Sequence, residues 1–299
     1  MGDIAVGSTV LAIDIGGTKL ACGLVDDRGS IEARAAVPTG EGTDGDALFV
    51  TLAALIDDVL AAGGAAPVAC GVGTGGPMTG GGASVSPVNI EAWRDFPLLE
   101  RLRTHTGLDT TVDNDAKALA LGEGWLGAAV GVRDYLAMVV STGVGGGIVL
   151  DGRLLDGDDG NAGHIGHVIV EPDGAVCGCG AQGCLEAEAS GTAIARVTGR
   201  PAAEADDEVR RRTGRLVGRG VASVANLLDL DLVLVAGSVA LGFGEPFFTA
   251  AQEEIDRRCR IEYSRDTVIR PGGLGADGPL VGAAAVAWRA LGHRPGLPR

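Results

Sequence analysis

The chain of 299 residues has few aromatics: Trp, Tyr and Phe together make up 3%. A sizeable core is still within reach, because 46% of residues are hydrophobic, but it has to be built from Ala, Val and Leu. Cations are scarce beside anions: 24 Lys and Arg against 39 Asp and Glu give a net charge of −15 and a pI near 4.6. Such a chain lacks the basic face with which nucleic-acid binders neutralise phosphates, so no nucleic-acid partner is expected. The densest basic cluster, Arg210 to Arg212, follows Glu204, Asp206, Asp207 and Glu208 and reads as the solvated face of a helix. No stretch reaches the roughly 18 uncharged apolar residues of a membrane span. The opening MGDIAVGSTV lacks the basic start of a secretory signal. A cytoplasmic protein with no membrane partner is expected. There are only six cysteines. In a reducing compartment, clustered thiols point to metal or catalysis before disulfides.

What is abundant is glycine, 51 residues without a Gly-X-Y period, which indicates tight turns and close backbone approaches. Val10 to Ile15 and Leu20 to Val25 read as strands on either side of a Gly-Gly turn. Ala47 to Ala62 keeps helical spacing through Leu48, Leu52, Leu55, Ile56 and Val59. Further strands are expected at 68–72, 110–112, 135–140, 148–150 and 232–235, with helices at 116–126, 209–230 and 281–291. The alternation argues for an α/β fold. LAIDIGGTKLACGLVDDRG and LAMVVSTGVGGGIVLDGR share one plan of strand, glycine turn, strand and tight turn. Two such units point to two similar domains facing one another across a cleft, unless glycine hairpins simply recur.

Asp14, Gly16, Gly17, Thr18 and Lys19 put an acid, a glycine turn, a hydroxyl and a cation together at a strand end. Clustered backbone amides in such a turn bind phosphate, and the carboxylate suits a divalent cation such as Mg²⁺. Thr142 and Gly143 open a second turn of the same kind. Either turn alone is weak evidence; the pair fits a nucleotide. Neither is a Walker loop or a GxGxxG fingerprint. At Asp113-Asn114-Asp115 a strand meets a helix. Helix capping explains the run, and so does a general base at Asp115 with Asn114 orienting a substrate hydroxyl. His167, Cys177, Cys179 and Cys184, spaced ten, two and five apart, form a full tetrahedral Zn²⁺ set with no position left for catalytic water, hence a structural site. Such a metal would also fix Glu186, and Asn89, Asn114, Asp115, His164, His167 and Glu186 together suit a hydroxyl-rich ligand. His164 taken alone is equally a structural histidine. Cys22, Cys70 and Cys259 sit in apolar contexts and read as core.

AIDIGGTK, VDNDA, STGVGGG, GHIGH and CGCGAQGCLE, in this order along essentially the whole chain, resemble the ROK family of bacterial sugar kinases and sugar-responsive repressors. The resemblance implies an actin-like (ribonuclease H-like) fold of two duplicated α/β domains with ATP and sugar in the cleft between them. The expected division is residues 1–115, with a C-terminal helix at about 281–299, and residues 116–280. It implies Asp115 as catalytic base, and sugar contacts from Asn114, His167, Glu186, Asn89 and the turn at Gly75-Gly76. Gly16 to Lys19 with Thr142-Gly143 would hold ATP phosphates, and the turn containing Gly237 would approach the adenosine. A homodimer is a family expectation. ROK glucokinases usually carry Glu where this chain has His164, whereas N-acetylmannosamine kinases carry His, so the chain leans toward N-acetylmannosamine over glucose. AWRDFPL, in contrast, looks glucokinase-like. Lys117 replaces a usual small or amide residue, and Ala236-Gly237 replaces a Gly-Gly turn. The runner-up readings are a sugar-sensing regulator, disfavoured by the dozen or so residues before Asp14, and an inactive sugar-binding protein. The sugar itself, and ATP or polyphosphate as donor, stay open.

Overall fold

The structure, a computed structural model, describes residues 7–40 and 44–293. The ends of the expected N-terminal domain and closing helix, residues 1–6 and 294–299, lie outside the described residues. The chain divides into two compact units. One comprises the residues up to Gly131, Asp156–Ala162 and those from Leu274 onward; the other comprises Val132–Leu155 and Gly163–Gly273.

The first unit is built on β1 (Thr9–Ile15), β2 (Lys19–Asp26), β3 (Ile31–Pro38), β4 (Cys70–Thr74) and β5 (Thr110–Asn114), in the order β3-β2-β1-β4-β5. The first three form an antiparallel meander, and β1, β4 and β5 run parallel. A strand covered on both faces is apolar throughout, and β1 is such a strand. Leu11, Ile13 and Ile15 pack with α1 (Gly45–Ala62) and α2 (Leu98–Thr106). Val10 and Ala12 pack instead with Ala283, Ala284, Ala287 and Trp288 of the closing helix. Between β5 and that helix lies α3 (Asp115–Trp125).

The second unit repeats the plan. Strands β6 (Tyr135–Val140), β7 (Val144–Leu150), β8 (Arg153–Leu154), β9 (Leu232–Ala236) and β10 (Val268–Pro271) take the order β10-β9-β6-β7-β8. Here β6, β7 and β8 are antiparallel neighbours, and β6, β9 and β10 are parallel. Read with β6 in the place of β1, the pairing is identical strand for strand. This is the duplicated α/β plan that the repeated glycine hairpins point to, and the actin-like fold that the ROK resemblance implies. The unit is completed by α4 (Leu185–Ala189), α5 (Gly191–Thr198), α6 (Asp207–Leu228), α7 (Ser238–Phe243) and α8 (Glu245–Arg258); the closing helix of the first unit is α9 (Gly278–Ala290).

Two sequence expectations change. The division falls after Gly131 and not after residue 115, because α3 packs on α9, where Gly122 and Gly282 bring the two helices into contact. The segment Asp156–Ala162 also belongs to the first unit. Of Arg210 to Arg212, only Arg211 faces solvent fully. Arg210 lies over the Phe243 ring at 5.7 Å, and Arg212 pairs with the buried Glu188 at 2.7 Å.

Helix α9 reaches β4 closely because Gly71 has no side chain: a Cβ there would run into the backbone of Ala283 and Ala287. Overpacking of this kind costs about 1–3 kcal/mol. Gly71→Val should therefore melt several degrees lower by calorimetry. Gly64→Val, where a Cβ meets nothing within 4 Å, should melt with the wild type.

Candidate active site

In the first unit the register of the parallel strands decides what meets. Ile15 lies beside Thr74, and Thr74 beside Asn114, so β1, β4 and β5 end together. That edge gathers Asp14, the Gly16–Lys19 turn, Gly75-Gly76, Asn114 and Asp115. The turn is closed by the Gly16 amide donating to the Lys19 carbonyl at 3.0 Å. It is braced by the buried Thr39, whose hydroxyl donates to the Gly16 carbonyl at 2.7 Å. Thr18 and Lys19 are exposed at its tip. Gly17 packs on Asn89 so closely that a Cβ would sit 2.6 Å from the Asn89 Cβ. Asn89 is held indirectly: Arg94 donates from one nitrogen to the carbonyls of Pro87, Ile90 and Trp93 at 2.8, 2.9 and 3.0 Å, wrapping the loop around itself. Thr39 and Arg94 escaped the sequence reading, since nothing local marks a residue that braces a distant turn.

Both side chains at the Asn114-Asp115 junction meet a free amide in the first turn of α3. Asn114 is the helix cap, its side-chain oxygen accepting from the Ala116 amide at 3.0 Å. Asp115 starts α3 with its carboxylate against the same amide at 2.8 Å. Burial pushes the Asp115 carboxyl above the ordinary range, against the lowering effect of the backbone amides. Asp14 is pushed up to about 7, chiefly by burial, then by the negative charge of Asp115, with Lys19 opposing. Asp113 turns away into an ion network with Lys117 and does not join this edge. The apolar residues of AWRDFPL are core: Trp93, Phe96 and Leu98 are buried, Trp93 stacks on Phe96 at 4.5 Å, and its indole donates to the Gly45 carbonyl.

In the second unit, His167, Cys177, Cys179 and Cys184 converge, with all four candidate ligand atoms within 4.8 Å of one another. The Cys179 and Cys184 sulfurs stand 3.7 Å apart, and the Cys177 sulfur is 3.8 Å from Nδ1 of His167. A disulfide would need about 2.05 Å, whereas sulfurs each about 2.3 Å from one tetrahedral ion are separated by about 3.8 Å. Burial and neighbouring thiols push Cys184 up to about 12, while the Ala181 amide lowers Cys179. Three thiols and an imidazole in one place are the donor set of a tetrahedral Zn²⁺ site, which would deprotonate the thiols on binding. Cys22, Cys70 and Cys259 are buried core residues.

The metal loop leads into α4, whose Glu186 accepts from the Val144 amide at 2.9 Å. A Cβ on Gly143 would lie 2.7 Å from the same carboxylate and would push on it. His164 lies nearly parallel to His167, ring centres 6.0 Å apart. Strand ends meet again at β6 and β9: Val139 pairs with Ala236, which brings Ser141-Thr142 beside Gly237-Ser238. The Ser141 and Ser238 hydroxyls are 2.9 Å apart, and Gly237 takes φ +101° beneath Val140. Thr142 and Ser238 line a cleft of about 480 Å³, together with Thr192, Pro201, Ala202 and Val239. The Thr192 hydroxyl donates to the Thr142 carbonyl at 3.0 Å. Thr192 and the 201–202 segment were not anticipated; the Ser190 cap of α5 was their only local sign.

A family model described as the ROK family matches residues 10–290. An N-acetylmannosamine kinase from Citrobacter koseri is 40% identical over 251 residues, 79% of this chain and 85% of that one. A ROK hexokinase from Thermus thermophilus superposes with a TM-score of 0.82 at 34% identity, over 95% of this chain and 99% of that one. A ROK family glucokinase from Streptomyces griseus, solved with glucose and AMPPNP, gives 0.82 at 31% identity, over 94% and 100%.

A buried acid that keeps its proton to about pH 7 bears on stability. The folded-state pKa of Asp14 exceeds the unfolded value, so the stability linked to its protonation is fully present below about pH 4 and is lost as pH rises through about 7. The melting-temperature gain of Asp14→Asn over wild type should widen by several degrees between about pH 5 and pH 8. Parallel curves in calorimetry would remove the burial argument for Asp14.

Proposed function

The chain belongs to the ROK family, and from that premise we propose that it is an ATP-dependent sugar kinase that phosphorylates the 6-hydroxyl of a hexose or 2-acetamido hexose, N-acetylmannosamine before glucose. The observation that carries the reading is the carboxylate of Asp115, half-buried at the start of α3, on the strand edge that also holds Asp14, Lys19 and Asn114. Burial raises its pKa above the ordinary carboxylate range, which makes it a stronger base than a free carboxylate. The lean toward N-acetylmannosamine rests on His164 and on the curated relatives of that name at 38–40% identity.

Asn114, Asn89 and Gly75-Gly76 would orient the sugar, as would His164, His167 and Glu186. Asp115 takes the proton of the 6-hydroxyl as that oxygen bonds to the γ-phosphorus. The bond from γ-phosphorus to the β-bridging oxygen breaks, and ADP leaves with the electron pair. Thr18, Lys19 and the Gly16-Gly17 amides face the phosphates, as do Thr142 and Gly143, and Gly237 borders the adenosine end. Mg²⁺, when bound, neutralises the phosphate oxygens, with Asp14 placed to hold it largely through water. His167, Cys177, Cys179 and Cys184 would hold Zn²⁺, which would stiffen the loop that carries His164 and leads to Glu186.

ADP release measured across N-acetylmannosamine, glucose, mannose and N-acetylglucosamine, with ATP and polyphosphate as donors, tests the reading. N-acetylmannosamine with ATP should give the highest kcat/KM; no turnover of any sugar would sink it. Asp115→Asn should keep sugar binding in calorimetry and lose roughly 10²–10⁴ in kcat. Cys179→Ser should lose zinc by elemental analysis and raise the sugar KM; a metal-free variant with wild-type KM would strip the metal of any part in the sugar site.

A further inference from the structure

Of the 24 cationic residues only two are lysines, Lys19 and Lys117. Lys19 lies in the phosphate turn. Lys117, one turn into α3, is 2% exposed, and the kinase chemistry above gives it no role. Its ammonium has three N–H bonds and three acceptors, each at 2.9 Å: Asp113 Oδ1, Asp156 Oδ1 and the Gly160 carbonyl. Asp156 also holds Arg289, Oδ2 to Nη2 at 2.5 Å and Oδ1 to Nη1 at 3.3 Å, and Arg289 stands 3.9 Å from Asp113. Two acids and two bases thus close a neutral network.

A tetrahedral point charge suits three acceptors converging from three directions; the flat fork of Arg does not. The acceptors come from three places. Asp113 precedes the Asn114-Asp115 junction, and Asp156 and Gly160 are the two ends of DGDDG. That stretch has no apolar side chain to bury and would otherwise be a loose turn-rich loop. It nevertheless packs with the first unit, not with the strand it leaves. Its far end is fastened as well: the Asn161 amide donates to the Met78 carbonyl at 3.2 Å, in the loop that follows Gly75-Gly76.

We propose that Lys117 is a positioning residue: it ties the segment 156–162 to the Asn114-Asp115 junction and makes that segment a fixed wall of the sugar site, a role that rests on the sugar-kinase reading. The effect is on geometry, since the three acceptors of Lys117 are Asp113, Asp156 and Gly160. Displacements of about 1 Å remote from the chemistry can cost on the order of 10²-fold in rate.

The test compares the wild-type full chain with Lys117→Arg, with Asp156→Asn, and with Lys117→Met combined with Asp113→Asn, which removes one buried charge of each sign. Asp156 is partly exposed, so its variant stays measurable even where the others fold poorly. Limited digestion with a protease that cuts at aspartate should speed up at least 10-fold within 156–159 in every variant that folds. The sugar KM should rise about 10-fold or more, with ATP KM and zinc content unchanged and with Asp156→Asn adding little to Lys117→Arg in the double variant. Unchanged cleavage within 156–159 overturns the tie. Faster cleavage with sugar and ATP KM rising together overturns the positioning role and leaves a merely structural network. A wild type that phosphorylates no sugar overturns the wall with the kinase reading, while the digestion arm still decides whether Lys117 holds the segment.

Discussion

Parallel strands in register end at the same level, and on that constraint the site rests. In the first unit Ile15, Thr74 and Asn114 are lateral neighbours, so the residues that follow each of them are gathered at one edge. In the second unit Val139 and Ala236 do the same for Ser141-Thr142 and Gly237-Ser238. The carboxyl ends of parallel strands are where α/β proteins collect ligand-binding loops. A slip of one residue in β5 would turn the face of Asn114 and Asp115 away from Asp14. The buried hydrophobic alternation of β1, with Leu11, Ile13 and Ile15 to one side and Val10 and Ala12 to the other, opposes such a slip far from the chemistry.

An acidic chain that binds a polyanion has to produce local positive potential without positive surface. Here the means are backbone amides in glycine turns, one exposed lysine at a turn tip, and helix starts. The acids at the same edge are kept from opposing this by burial. Asp14, at about 7, carries less negative charge near neutrality than a free carboxylate would, and burial raises the Asp115 carboxyl as well. Asp156, in contrast, is held low by Arg289 and Lys117 and stays ionised, where its charge is matched. Three acids in one unit thus differ in ionisation because their partners differ, and the net charge of the chain predicts none of it.

Much of this could be read from the sequence. The metal set is fixed by spacing within 18 residues, and the two glycine hairpins repeat in recognisable form, so both were visible locally. So was the strand-to-helix junction at Asp115, because turn chemistry and capping are short-range. What stayed hidden depends on contacts distant along the chain. The place of α3 in the first unit follows from its packing on α9, about 160 residues later. Strand β3, with its charged alternation IEARAAVP, becomes a strand only by pairing with β2. Thr192 and Ala202 join the cleft beside Thr142 and Ser238 because α5 is tied to the β6–β7 turn by Gly191 and Thr192 hydrogen bonds, which no periodicity announces. Lys117 looked like an anomaly in the motif, and its partners, 39 and 43 residues downstream, explain it.

The two glycine-rich segments, 156–162 and 169–184, meet the same physical difficulty in the two units. Neither is held mainly by apolar side chains: the first offers only Ala162, and the second puts Val170 into the core while Ile169 and Val176 stay exposed. In both, ion pairs on buried charges add to what burial supplies. Lys117 and Arg289 hold the first. In the second, Glu188 accepts from the Ala175 amide at 2.6 Å and is itself held by Arg212, while Arg219 links Glu171 to the buried Glu254 of α8. Buried ion pairs are poor sources of net stability, because desolvation offsets most of the attraction. Their strength lies in direction: a satisfied ammonium or guanidinium accepts few geometries, where an apolar contact accepts many. A site that must present hydroxyl-matching groups from loops gains from that selectivity, and a metal bound by the four residues between Glu171 and Glu188 and at His167 would add a further directional constraint to the same loop.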